Sequence, residues 1–201
     1  MPFPGNNTAD RIKTYPNNNQ VPHGYWKDGI FSCFKHGIFH PTFCHCLFFP
    51  QLLTAQVMTR MHLNWKAEED TEEESKSTFK IISIVVGIYW LLKILVGSDN
   101  DNNEASAPLI NSPLLILSSQ LFGFFFFVYT IVIITKTRKA IRHKYEIPET
   151  HCHGCEDFCC AFWCGNCSSA QMARQTADYD AESAYCCTKT GITPTHHVMI
   201  V

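Results

Sequence analysis

One stretch limits the fold of this chain more than any other. Leu114 to Ile134, LLILSSQLFGFFFFVYTIVII, carries no charged residue. A helix that crosses a bilayer needs roughly 20 mostly apolar residues, and this run meets that length. A second run, Phe79 to Gly97 (FKIISIVVGIYWLLKILVG), holds only Lys80 and Lys93 as charges. It is marginal as a span. Lys93 fits if its apolar stem stays in lipid while the ammonium snorkels to the headgroups. The competing reading of this run is a helix buried in a soluble core. Apolar residues make up 46% of the chain, a share that an evenly patterned globule also reaches. Their concentration into two runs is what favours a mainly α membrane protein, a two-helix transmembrane hairpin with spans at 79–97 and 114–134 and a polar loop at 98–108 (SDNDNNEASAP). Neither run reads as a signal peptide, because MPFPGNNTAD lacks a basic region followed by an apolar one.

Lys136, Arg138, Lys139, Arg142 and Lys144 follow the second run directly, whereas the loop between the runs has no Lys or Arg. The positive-inside rule then puts both termini in the cytosol. The acidic residues Glu68, Glu69, Asp70, Glu72, Glu73 and Glu74 weigh little in that rule and read as a solvated tether. Gly87 and Gly123 fall at similar depths, ~1.5 Å per residue from the ends of their runs, and are expected where the spans cross. Lys93 and Gln120 are the polar side chains expected to meet in that pair. Two spans enclose no pore, so conduction would require an oligomer.

The eleven cysteines cluster at Cys33, Cys44 and Cys46, then Cys152, Cys155, Cys159, Cys160, Cys164 and Cys167, then Cys186 and Cys187. On the cytosolic side these thiols meet a reducing compartment, where metal binding, lipidation or redox chemistry is favoured over a disulfide framework. His151-Cys-His-Gly-Cys155 and Cys164-Gly-Asn-Cys167 are C-x-x-C pairs, a spacing that lets two thiolates hold a soft divalent ion such as zinc. The candidate ligands are Cys44, Cys46, Cys152, Cys155, Cys164, Cys167, His40 and His151, with His45 and His153 near them. The gap between the pairs is shorter than in zinc ribbons and unusually apolar. FCCAFW reads equally as a segment at the membrane interface, with Cys159 and Cys160 packed or acylated. Both cysteine groups lead into similar short segments, Gln56-Val-Met-Thr-Arg60 and Gln171-Met-Ala-Arg174, as two diverged copies of one repeat would.

The order Trp26-x-x-Gly29-Ile-Phe, FCHCLFFPQ, two apolar runs, TRKAIRHKYEIP (Thr137 to Pro148) and CHGCEDFCCAFWCGNCSSAQMARQ (Cys152 to Gln175) resembles the placenta-specific-eight family. That family includes cornifelin, the plant cadmium-resistance proteins and the fruit-weight cell-number regulators. Its signature is a double cysteine, four residues, then cysteine-proline-cysteine. Here only Cys44-His45-Cys46 remains of it, with Ile38 and Phe39 in place of the double cysteine and His45 in place of proline. The resemblance implies a cysteine-rich membrane domain at 26–175 between tails at 1–25 and 176–201. It also implies a plasma-membrane location, oligomers, and one of two roles: divalent metal transport or homeostasis, or a scaffold that regulates growth or cell number, with a further membrane protein as possible partner. No phosphate loop, nucleophile elbow or metalloprotease helix appears, so no enzymatic activity is expected, and nothing points to a nucleic acid. The sequons at Asn6 and Asn166 would stay unused in the cytosol. The apolar end Met199-Ile-Val201 has the form of a strand-addition ligand.

Overall fold

The computed structural model describes residues 23–35, 37, 39–97, 113–150, 152–179 and 183–192. Most of the N-terminal tail, the loop at 98–108, His151 and the end at Met199–Val201 lie outside the described residues. These form five helices: α1 Pro41–Phe48, α2 Pro50–Arg60, α3 Glu72–Gly97, α4 Pro113–Lys144 and α5 Glu156–Thr176. A single 3-10 turn at Ser32–Phe34 precedes them. No strand occurs among the described residues beyond two isolated bridges, Leu63 with Glu69 and Ala184 with Ile192.

The chain is a mainly α membrane protein, and α3 and α4 are its two candidate spans, Glu73–Leu95 and Ile116–Lys144. Only 17% and 22% of their most apolar windows are buried. A core helix of a soluble protein would be mostly covered, so the soluble-core reading of the first run does not hold. The helices meet along one seam, where the Tyr89 ring stacks on Phe126 with centroids 4.2 Å apart, and Ile82 and Val86 are buried.

Two expectations for this seam are corrected. Nothing lies within 4 Å of a side chain built at Gly87, so only Gly123 marks the crossing. Lys93 does not reach toward the interhelical loop. Its Nζ sits 3.7 Å from a Cβ built at Gly123 and 5.8 Å from the centre of the Tyr89 ring, because helical side chains lean toward the N-terminus of their own helix.

At 32 residues α4 is about 48 Å long, well beyond the ~30 Å hydrocarbon core. It continues through the basic cluster instead of ending before it. The acidic stretch is likewise no free tether. Asn64 Oδ1 accepts the N–H groups of Lys66 and Glu68, the Thr78 hydroxyl donates to the Leu63 carbonyl, and Lys136 pairs with Glu68 at 2.9 Å. The remaining acidic residues, Glu72 to Glu74, open α3, where negative charge favours a helix N-terminus.

The repeat suggested by Gln56 and Gln171 is a structural one. α1 and α2 are two halves of a broken helix, and α5 breaks in the same way at Cys164. The break residues are 115 positions apart and share a backbone conformation, φ −140° and ψ 60° at Phe49 against φ −138° and ψ 48° at Cys164. The first halves start at Pro41 and Glu156, again 115 apart. Thr54 Oγ1 donates to the Pro50 carbonyl at 2.8 Å, as Ser169 Oγ does to that of Gly165 at 2.9 Å. Thr54 and Ser169, also separated by 115, bring their hydroxyl oxygens to 2.9 Å, where either can turn its proton from its carbonyl to the other.

Each copy folds back on itself. Ser168 Oγ donates to the Cys160 carbonyl at 3.0 Å, although eight residues of straight helix span about 12 Å. The His45 side chain hydrogen-bonds Gln56 in the same manner. Between the copies, Arg60 donates to the Ala173 carbonyl at 3.1 Å, and Leu53, Met58, Ile133, Ile134, Ile141 and Met172 form the fully buried core.

Residues 183–192, within the stretch expected as a C-terminal tail, lie against α2. Gln56 Nε2 is 2.9–3.2 Å from the carbonyls of Tyr185, Cys186 and Thr188. Gly191 has φ +71°, and a Cβ there would stand 2.6 Å from Gln56 Oε1. Gly191→Ala is expected to cost about 1–3 kcal/mol through backbone strain and displacement of that amide. Thermal unfolding in detergent checks this, and an unchanged midpoint would contradict the docking of 183–192.

Candidate functional site

Where α4 leaves the apolar run, its basic residues divide into two sets. Lys136, Lys139, His143 and Lys144 face outward, whereas Arg138 and Arg142 are buried against α5. Arg138 Nε lies 3.2 Å from Asp157 Oδ1, and Arg142 Nη1 meets the same oxygen at 3.2 Å. Arg142 Nη2 donates to Glu149 at 2.8 Å, and the Gly154 N–H donates to the other oxygen of that carboxylate. Together the Gly154 N–H and the Arg142 guanidinium hold Glu149 below the usual carboxylate range. Burial pushes the Asp157 carboxyl up despite the two guanidinium groups beside it. Reading these arginines only as a topology signal therefore missed half of their role.

The same network captures the segment before the first cysteine. Arg138 donates to Gln171 Oε1 at 2.6 Å and stacks on Trp26, with its guanidinium carbon 4.3 Å from the ring centre. Gln171 Nε2 donates to the Asp28 carbonyl at 2.8 Å, Arg174 Nε lies 3.3 Å from the Asp28 carboxylate, and the Lys27 N–H donates to Gln175 at 2.7 Å. Gln171, Arg174 and Gln175 occupy one face of α5, and that face clamps Trp26-x-x-Gly29. The sequence signal for this contact was the pairing of the two motifs in one resemblance. Nothing in their spacing revealed it.

The clamp places Cys33, in the 3-10 turn packed on α5, beside Cys167, whose thiol hydrogen-bonds both Cys33 and Cys164. Cys33 was not among the expected ligands. Cys152 and Cys155 hydrogen-bond each other, and Cys155 also bonds Cys159. Each C-x-x-C pair is thus closed on itself and gains a different third thiol. Cys46 is buried and donates to the Phe43 carbonyl at 3.1 Å; Cys44 lies two residues before it in α1, and Cys186 is pushed up by burial, with Cys187 and Cys44 adding to the shift. His40 caps α1, its Nδ1 accepting the Thr42 N–H at 3.3 Å, with its ring edge-on to Tyr179. His151 lies outside the described residues. Among the described residues no three His, Cys, Asp or Glu side chains are arranged as a metal cage.

Burial, reinforced by Cys33, pushes Cys46 up to about 11 and Cys167 up to about 12, and the hydrogen bond that the Cys155 thiol makes to Cys152 pushes Cys155 up to about 11. These thiols are protonated at neutral pH. A recess lined by Thr42, His45, Leu53, Gln56, Tyr179 and Gly191 is too small for a water molecule.

This arrangement defines an α-helical membrane protein whose cysteine-rich segments are folded around the base of a two-helix hairpin. The PLAC8 family model matches residues 26–175, and the chain belongs to that family. No curated protein and no solved structure shows a significant match to it.

The folded protein holds the thiol protons more tightly than the unfolded chain, so this contribution to stability is whole below ~8.5, the ordinary thiol pKa. It is lost as pH rises through about 11 and about 12. At about pH 8, iodoacetamide should label Cys46 and Cys167 roughly a hundredfold or more slower than in denaturant. Equal rates, read by peptide mass spectrometry, would show that these thiols are not held as protonated groups.

Proposed function

We propose that this PLAC8-family protein is a scaffold of the plasma membrane, with both termini in the cytosol and its helical repeats held at the cytosolic face of the hairpin. The observation that supports this reading most is the use of the polar groups. Arg138, Arg142 and Arg174 are engaged by Asp28, Asp157 and Glu149, and Gln171 bridges Arg138 to the Asp28 carbonyl, so these groups serve to hold the domain together. The two spans touch directly at Tyr89 and Phe126, so conduction would need several copies. No catalytic role is assigned to any residue. Exposed Cys152, Cys155 and Cys187 are available to acyl attachment, and the growth or cell-number role of related proteins suits a scaffold that recruits another membrane protein.

A second reading rests on the trio Cys33, Cys164 and Cys167. A soft divalent ion such as zinc would displace the thiol protons and draw the three sulfurs together, which is the chemistry of metal homeostasis.

Elemental analysis of detergent-purified protein separates the two. The scaffold predicts far less than one equivalent of zinc, unchanged in a Cys33/Cys164/Cys167→Ser variant, with hydroxylamine-sensitive acyl groups on exposed cysteines. One equivalent of a soft ion lost in that variant would replace the scaffold with the metal reading. A glycan at Asn6 would overturn the cytosolic orientation.

A further inference from the structure

Between Lys35 and Arg60, and again between Asp157 and Arg174, the chain has no Asp, Glu, Lys or Arg. Each of these stretches covers the body of one broken helix between charged ends, and each turns back near its middle, at Phe49 and at Cys164. The turning points lie alongside the apolar runs of the spans. The Phe49 ring is 6.0 Å from that of Trp90, and Gln51 Nε2 donates to Thr130 Oγ1 at 3.2 Å. The Phe162 ring is 6.4 Å from that of Phe127, a residue about 10 Å along the helix axis from Ile134.

The direction of each half agrees. The first half of α5 runs from Asp157, beside Arg142, to Phe162, beside Phe127. The second half returns from Gly165, where a Cβ would touch Ile134, to Gln171, beside Arg138. α2 likewise leaves Thr130 and climbs to Arg60.

We propose that α1 with α2, and α5, are two re-entrant hairpins. They dip into the leaflet at the end of α3 and α4 that carries Phe79 and Ile134, and their exposed side chains touch lipid acyl chains. The occupant is lipid because the exposed surface of the elbows is continuous with that of the spans. Phe48 and Trp163, at equivalent positions, are 62% and 80% exposed, and Leu47, Phe158 and Phe162 lie beside them. Large apolar patches of this kind mark membrane contacts.

The backbone is built for that depth. Lipid supplies no hydrogen bonds, so irregular backbone survives there only where its groups are satisfied within the protein. At the first elbow the Phe49 N–H donates to the His45 carbonyl at 2.8 Å, Pro50 has no N–H, and the Thr54 hydroxyl covers the Pro50 carbonyl. At the second, the hydroxyls of Ser168 and Ser169 cover the carbonyls of Cys160 and Gly165.

This inference rests on the reading of α3 and α4 as membrane spans, and the four tryptophans test the two separately. The full chain is labelled with fluorotryptophan and placed in phosphatidylcholine nanodiscs. Trp65→Phe, Trp90→Phe and Trp163→Phe assign the resonances by disappearance. A nitroxide on the upper acyl chain should abolish the Trp90 and Trp163 signals, while a water-soluble gadolinium chelate leaves both. If Trp90 responds to the lipid label but Trp163 follows the chelate, or answers to neither because protein covers it, the re-entrant hairpins are overturned and the spans stand. If Trp90 itself is untouched by the lipid label, the spans fail and the inference with them.

Discussion

The interaction on which the rest of this structure depends is the buried contact of Arg138 and Arg142 with Asp157. It joins α4, the longest helix, to the second cysteine-rich segment at the level where the apolar run gives way to polar sequence. Two guanidinium groups on one carboxylate are expensive to bury, and the cost is offset only because each has further partners: Gln171 and the Trp26 ring for Arg138, Glu149 for Arg142. Through Gln171 the same network reaches Asp28 and so fixes the segment that brings Cys33 to Cys167. Remove the carboxylate, and both the thiol trio and the clamp on Trp26 lose their reference point.

Around that contact the fold uses one device twice. A helix breaks, folds back, and returns beside the hairpin, and the two copies meet where Thr54 and Ser169 share a hydrogen bond. The copies have kept their backbone shape and uncharged character while diverging in detail, with Pro50 opposite Gly165 and Cys46 opposite Ala161. What persists is a residue that tolerates the break, a hydroxyl five residues later that donates to the first carbonyl of the returning half, and an apolar pair before the elbow.

Hydropathy made the hairpin legible, because an uncharged run as long as Leu114 to Ile134 has the length and composition of a membrane span. The repeat was visible only as two short Gln-to-Arg segments; its real marker, the 115-residue spacing of Phe49 and Cys164, is conformational and has no residue identity behind it. Arg138 and Arg142 looked like flanking charges since a count of basic residues cannot tell which face of α4 meets α5. Lys93 was expected to reach outward, yet the lean of helical side chains turned it inward to Tyr89. The thiol pairs Cys152 with Cys155 and Cys164 with Cys167 were legible from spacing, as was Cys159 one helical turn after Cys155, whereas Cys33 depends on a long-range clamp that spacing does not encode.

The central claim is that Arg138 and Asp157 act as a unit that holds α5 on α4, and a double-mutant cycle of Arg138→Met, Asp157→Leu and the pair, followed by denaturant unfolding in detergent, tests it most directly. Each single change leaves a buried charge without its main partner and should cost about 3–5 kcal/mol, while the double variant should lose much less than the sum. Single costs below about 1 kcal/mol that simply add would contradict the account.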